Sequence, residues 1–468
     1  MTAALLIDFG STFTKLRAVD LDSAAIIGAG QGPSTVATDV TEGLVAALGD
    51  LEAHIGGLPD FKHRLACSSA AGGLAMVTVG LVRELTAEAA RQAALGAGAK
   101  LVGAFSHGLT THDIAEVERL APDIILLAGG TDGGNSDVIL ANAGKLATSA
   151  VACPIVVAGN REAADEAADV LRAAGKPVTV AENVMPEFGE LNVEPARAAI
   201  RTVFIERIVH AKGIDRAAQM FDAVLMPTPA AVLDAAKLLS EGLPGKAGLG
   251  PLLVVDVGGA TTDVHSVAMG APTVEGVIAH GLPEPYLKRT VEGDLGMRLN
   301  AATIIEAAGL EAIAEQAGLS LVRAREILDA IIFDVERLPE AKDEASFDQA
   351  LARAAVDAAV TRHAGSLSIV QTVTGPVQMQ TGKDLSAVET IIGTGGVLAH
   401  SANGGGGAVE ILAAGLADAD RPQNLKPKAP KLLLDRDYVL YACGLLATVA
   451  PEVALTFGLA HMHAVGED

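Results

Sequence analysis

The sequence predicts an α/β protein of two pseudo-equivalent halves, with a further α/β subdomain inserted after the first half has begun. Three observations carry that prediction. Two apolar strands, in "LLIDFGSTFTK" and "LLVVDVGGATTDVHSV", each end in Asp-x-Gly and turn through hydroxyl residues, at Asp8 and Asp256. Between them, from Pro122 to Asn183, short apolar strands alternate with helical stretches. The composition is 50% apolar with 51 glycines and only 3% aromatics. Small residues of this kind let helices pack closely on parallel strands.

At 468 residues the chain is too long for one ordinary core, so two or three domains are expected. A formal charge of −23 without a basic stripe excludes phosphate-backbone binding, so no nucleic-acid partner is expected. Cys67, Cys153 and Cys443 lie far apart with no C-x-x-C pair, which argues against a zinc or cysteine-ligated cluster and fits a reduced cytoplasm. "MTAALLIDFGS" does not read as a signal peptide. The apolar run "YVLYACGLLATVAPEVALTFGLAHM" is interrupted by Pro451 and Glu452, and reads as buried helix with no membrane partner.

In chain order, residues 4–27 read as strand, tight turn and strand around "DFGST". "DVTEGLVAALGDLEAHIG" reads as a helix with Leu44, Ala47, Leu48 and Leu51 on one face, and "GLVRELTAEAARQAALGAGAK" as a second. "DIILLAGG", "PIVVAGN" and "PVTVAEN" are short strands, the last two joined by the crossover helix "REAADEAADVLRAAG", so they should run parallel. "MPTPAAVLDAAKLLSEG" is a helix with prolines at its start. After the second hairpin come helices over 297–364 and a strand at 388–393. "RPQNLKPKAPKLLLDRD" reads as an extended surface connection before the last helix. The expected divisions are 1–100 and 201–250 for the first domain, 101–200 for the insertion and 251–468 for the second domain.

Glycine turns carry the candidate chemistry. At Gly10-Ser11-Thr12 and Gly258-Gly259-Ala260-Thr261-Thr262, glycine lets phosphate oxygens approach backbone N–H groups and hydroxyls add donors. Asp8 and Asp256 could hold magnesium, usually through water. A single such turn is more simply a hairpin; the matched pair favours phosphate. The third turn, "ETIIGTGGVLAH", places Gly393, Thr394, Gly395 and Gly396 after a strand, where backbone could pack on adenine or ribose. Alternation sets Thr12, Thr14 and Leu16 on one strand face and Phe13 and Lys15 on the other, leaving Lys15 to face phosphate or solvent.

In that order the three turns resemble the ATPase superfamily of actin, heat-shock chaperones and sugar kinases. The resemblance implies two ribonuclease-H-like domains with ATP and Mg²⁺ in a cleft between them, and "PTPAAV" as a connecting helix. Where the chaperones carry a water-positioning glutamate this chain has Met226, so turnover would be slow or partner-dependent, with Glu292 or Asp294 of "RTVEGDLGMR" as substitutes. The strings "DFGSTFTK", "CSSAAGGLAMV", "LTAEAARQAALGAGAK", "DIILLAGGTDGGN", "ENVMPEFGELNVEPAR", "VDVGGATTDVHS" and "VEGDLGMR" narrow the resemblance to the MutL/GlmL accessory proteins of coenzyme-B12-dependent glutamate mutase. These are unrelated to the mismatch-repair protein of similar name. That family implies a chaperone-like reactivase in which ATP turnover drives domain motion and exchange of damaged cobalamin from a B12 mutase. A homo-oligomer is left open.

Two other classes stand beside it: a small-molecule kinase using Asp263 or Asp294 as base, and a nucleotide-binding scaffold without turnover. "DVHSVA", Asp263 to Ala268, approaches the B12 signature D-x-H-x-x-G but has Ala268 at the glycine, so His265 reads as an ordinary strand residue. "LLAGGTDGGN" reads as a structural turn or partner-facing loop ahead of a ligand site, "ACSSAAGG" as a structural turn, and "NGGGGA" as a surface loop ahead of an approach to the nucleotide. No P-loop pattern occurs.

Overall fold

The computed structural model describes residues 2–10, 13–35, 39–68, 74–211, 220–373, 375–399 and 406–465. They form two compact units. The first comprises Met1–Ala235, Gly281–Pro285 and Tyr441–Phe457, and the second Ala236–His280, Tyr286–Leu440 and Gly458–Asp468.

The first unit is built on β1 (Ala3–Phe9), β2 (Phe13–Asp20), β3 (Ala25–Pro33), β4 (Phe61–Ser68) and β10 (Ala223–Pro227), in the spatial order β10-β4-β1-β2-β3. β1, β2 and β3 form an antiparallel meander, while β4 and β10 run parallel to β1. One face of the meander, with Leu5, Ile7, Phe9, Leu16 and Ala18, packs on Leu44, Ala47 and Leu51 of helix Val40–Ile55. Burying each such Leu, Ile or Phe side chain contributes about 1.5–3 kcal/mol. Gly56, at φ +78°, closes that helix.

The inserted sheet of this unit contains β5 (Leu74–Gly80), β6 (Ala99–Ser106), β7 (Ile124–Leu127), β8 (Ile155–Val157) and β9 (Val178–Val180), in the order β6-β5-β7-β8-β9. All its pairings are parallel, as the crossover helices require. The helix expected from "GLVRELTAEAARQAALGAGAK" is shorter than the pattern suggested. It follows β5, opens with a π-turn at Arg83–Ala87, continues as Glu88–Gly96 and then gives way to β6.

In the second unit a two-residue ladder, β11 (Gly242–Leu243) with β12 (Lys246–Ala247), precedes the main sheet. That sheet contains β13 (Leu252–Val257), β14 (Thr262–Val267), β16 (Leu287–Glu292), β19 (Thr390–Thr394), β20 (Lys431–Asp435) and β21 (Met462–Ala464), in the order β16-β14-β13-β19-β20-β21. Again the first three strands form an antiparallel meander, and β19 and β20 run parallel to β13. Both central sheets therefore share the ribonuclease-H order: a three-strand meander whose first strand pairs with one parallel strand, which in turn pairs with a second. A smaller sheet sets β15 (Ile278–His280) beside β18 (Gly375–Thr381) and β17 (Ser366–Thr372). Val255, Val257 and Val264 share a core with helices Ala301–Ala308, Leu310–Ala317, Leu321–Phe333 and Lys342–His363.

The segment "RPQNLKPKAPKLLLDRD" differs from its expectation as a surface connection. Lys431–Asp435 is an internal strand, paired with β19 on one side and β21 on the other. Leu433 and Leu434 are buried, and the three consecutive leucines suit a strand covered on both faces. Lys426 is buried too, its ammonium donating to the Asp357 carboxylate, so a charged sequence here did not mean a solvated one. The apolar C-terminal run forms helices Leu440–Ala447 and Pro451–Ala460, split where Pro451 stands. No helix among the described residues is long and apolar enough to cross a membrane.

Candidate functional site

In the first unit β1 is buried along its whole length, and Asp8 is its only ionisable residue. The turn after it closes by a hydrogen bond from the Gly10 N–H to the Phe13 carbonyl, at 3.0 Å. A Cβ on Gly10 would lie 2.5 Å from that same oxygen, so the turn excludes any side chain. Ser34 Oγ donates to the Gly10 carbonyl at 2.7 Å and fixes the turn from outside. Ser11 and Thr12, both expected to bind phosphate, lie outside the described residues, as do most of "ACSSAAGG" and the first half of "NGGGGA".

Asp8 lies in register with Lys15 on β2 and with Cys67 on β4. Its Oδ1 accepts from Thr228 Oγ1 at 2.6 Å and, weakly, from the Cys67 thiol at 3.7 Å. Burial raises the Asp8 pKa above the ordinary aspartate value, outweighing the nearby Lys15 charge and the Thr228 and Cys67 hydrogen bonds. Burial likewise pushes the Cys67 thiol well above its usual value, so it stays protonated, a donor and not a nucleophile. A carboxylate held against its own desolvation is the donor a hard cation needs, and in that sense Asp8 fits Mg²⁺. Lys15 is half-buried on the strand face opposite Thr14 and Leu16, which are fully buried.

In the second unit the corresponding turn closes in the same way, with Gly258 N–H donating to the Thr261 carbonyl at 2.9 Å. Here a Cβ on Gly258 would stand 3.0 Å from that oxygen, and one on Gly259 would meet only the Arg298 side chain at 3.7 Å. The segment after β16 supports the turn from behind. Met297 N–H donates to the Gly258 carbonyl at 3.0 Å and Arg298 N–H to the Gly259 carbonyl at 2.8 Å. Arg298 is in turn anchored to Asp348. Thr262 is buried and donates to the Leu295 carbonyl at 2.7 Å, which ties its hydroxyl to the scaffold.

Across this hairpin Asp256 stands in register with Asp263. Asp263 Oδ1 accepts from Arg289 Nη2 of β16 at 2.8 Å and its Oδ2 from Thr261 Oγ1 at 3.0 Å. His265, in register with Arg289, is buried, and burial followed by the Arg289 charge drives its pKa well below the usual histidine value. It is an uncharged strand histidine, as its sequence context implied.

The third turn belongs to the same unit. β19 ends at Thr394 in register with Asp256, so the glycine turn follows the next strand of the sheet. Gly395 adopts φ +101°, and a Cβ there would meet the Val257 carbonyl at 2.2 Å, so glycine is required on both counts. Thr394 Oγ1 donates to buried Asp435 at 3.2 Å, and Asp435 also accepts from the Val439 N–H at 2.7 Å. Gly393 is packed under Leu398 and Leu412, while Gly396 opens helix Gly396–Ala399 and is exposed.

Other candidates separate from these turns. Arg362 bridges Glu292 at 2.7 Å and both carboxylate oxygens of Asp294 at 2.7 and 2.8 Å. Burial raises the Glu292 pKa, whereas the Arg362 hydrogen bonds lower that of Asp294. Met226 is buried at the end of β10. The "GGTDGGN" loop satisfies itself: Asp132 accepts from the Asn183 amide and the Arg161 N–H, both at 2.9 Å, and the Asn160 amide donates to the Gly134 carbonyl at 3.2 Å. Its polar groups serve the loop and the following helix. Thr228, Arg289 and Asp435 were not singled out from sequence; each acts across strands, and the adjacency of Thr228 to the Pro227 break was the one local signal.

Residues 4–461 match the family model described as MutL protein. The chain belongs to the MutL family. Protein MutL of Clostridium tetanomorphum is 46% identical over 456 residues, covering 97% of this chain and 98% of that one. This is the glutamate mutase accessory family that the sequence motifs resembled. Among solved structures, the ADPNP-bound activator of 2-hydroxyisocaproyl-CoA dehydratase from Clostridium difficile is 10% identical, with a TM-score of 0.34 over 97% of each chain. Xylulose kinase from Bifidobacterium adolescentis is 13% identical with a TM-score of 0.33, over 99% of this chain and 96% of that one. For this MutL relative the ribonuclease-H assignment therefore rests on the strand order of its own two sheets.

Proposed function

We propose that this MutL-family chain is an ATP-dependent reactivase for a coenzyme-B12-dependent mutase of the glutamate mutase type. The observation that supports the reading best is the doubled hairpin. Two Asp-x-Gly turns close with the same hydrogen bond, at 3.0 and 2.9 Å, on the first strand of two sheets with the same strand order. In this reading Asp8 and Asp256 hold Mg²⁺ through its water shell. Gly10, Ser11, Thr12, Gly258, Gly259 and Thr261 receive phosphates, buried Thr262 holds the turn from its strand instead of meeting phosphate, Lys15 adds a cation, and Gly393 to Gly396 support adenosine. Bound Mg²⁺ would supply charge neutralisation of the phosphates.

The carboxylates available to orient water are engaged: Asp263 by Arg289, and Glu292 and Asp294 by Arg362. With Met226 where a glutamate would stand, intrinsic turnover should be slow and the inactivated mutase should accelerate it. Steady-state ATP hydrolysis by the purified chain with Mg²⁺, alone and with cobalamin-inactivated mutase, tests this. Stimulation by the inactive mutase supports the reactivase. Binding without hydrolysis under every condition favours a scaffold, and rapid phosphoryl transfer to a small metabolite favours a kinase.

A further inference from the structure

One cluster lies outside the nucleotide turns and has the chemistry of a transition-metal site. Asp437 follows β20 by two residues, while His461 and His463 flank buried Met462 at the start of β21. β21 pairs with β20, with His463 in register with Leu434, so residues from two segments 24 to 26 positions apart meet at one end of the sheet. His461 Nδ1 lies 2.8 Å and His463 Nε2 3.5 Å from the same oxygen, Asp437 Oδ2. All three ligand atoms fall within 4.8 Å of one another. The two rings meet edge to face, with centroids 6.5 Å apart.

We propose that Asp437, His461 and His463 bind a divalent ion of the Zn²⁺ class. Two imidazoles and one carboxylate are a donor set suited to zinc and its neighbours and poorly suited to Mg²⁺, which takes oxygen ligands. Bonds of about 2.1 Å in a tetrahedral shell place ligand atoms about 3.4 Å apart. The His463–Asp437 distance already meets that spacing, and the His461–Asp437 contact must open by about half an ångström.

The side chains of Asp437 and His463 are 43% and 42% exposed, against 20% for His461. One coordination position therefore faces solvent, where water or a partner's ligand can complete the shell. The ion would tie β21 to the loop after β20. That loop carries Tyr438, at φ +51°, whose hydroxyl lies 3.5 Å from where a Gly396 Cβ would stand.

Untagged, metal-stripped full-length protein, titrated with Zn²⁺ against a chromophoric chelator, tests the site. One equivalent should bind with micromolar affinity or better. His463→Ala and Asp437→Asn should each weaken it at least tenfold, with millimolar Mg²⁺ unable to displace it. Zn²⁺ should raise the melting temperature of the wild type and not of the variants. Wild-type affinity retained in His463→Ala with an unchanged circular dichroism spectrum would overturn the proposal, as would wild-type binding no tighter than millimolar.

Discussion

In the first hairpin Asp8 faces Lys15 across the strands, whereas in the second Asp256 faces Asp263. The backbone device is common to both; the charge arrangement is not. The first carboxylate is buried and answered by cations on its own hairpin, Lys15 and then Arg17. In the second hairpin Asp263 is answered from a neighbouring strand, by Arg289. A strand–glycine–strand turn can thus be duplicated while the residue opposite its aspartate changes sign. The first hairpin thus sets a lysine opposite its aspartate, and the second sets a carboxylate opposite its own.

The largest expected effect tests whether both aspartates serve one reaction. Asp8→Ala and Asp256→Ala should each lower mutase-stimulated ATP hydrolysis by about 10²–10³-fold in steady-state assays. Loss in one variant only would reduce the other turn to a structural hairpin. Next, Arg289→Ala leaves Asp263 without the buried cation it pairs with and should cost about 3 kcal/mol in urea unfolding. Lys15→Ala, which removes a half-buried cation where Arg289→Ala removes a buried one, should cost well under half of that. Gly10→Ala forces a Cβ to 2.5 Å from a carbonyl, against 3.0 Å for Gly258→Ala. The first should therefore cost about 1–3 kcal/mol and the second less than about 1 kcal/mol.

The smallest effect is a pH dependence. Because the folded-state pKa of Asp8 is raised, the folded protein holds a proton that the unfolded chain has released. Stability from this group is present below the ordinary aspartate value and declines as pH rises through the raised one. Asp8→Asn should remove that decline, and at neutral pH without nucleotide the variant should be more stable than wild type while inactive. Thermal melts across the acid-to-neutral range check it, and a steeper decline in the variant would show that Asp8 is already ionised in a compensated site.

Much of this was legible in the sequence because it is local. The Asp-x-Gly turns, the parallel βα insertion and the glycine turn at 393–396 each follow from residues adjacent along the chain. What stayed hidden depends on pairing across the sheets. Nothing near Asp263 announces Arg289, and nothing near Asp8 announces Thr228; register brings both into contact. β20 was obscured for a related reason. Its flanks carry lysines and arginines that read as solvated, yet Lys426 is buried against Asp357. The Asp437–His461–His463 cluster is similarly invisible until β21 folds back on β20.

The central claim is that both hairpins hold the nucleotide through Mg²⁺. Equilibrium binding of a non-hydrolysable ATP analogue to wild type, Asp8→Ala and Asp256→Ala, with and without Mg²⁺, tests it most directly. The account predicts that Mg²⁺ tightens binding in the wild type and that each substitution abolishes that gain. An undiminished Mg²⁺ effect in either variant would contradict it.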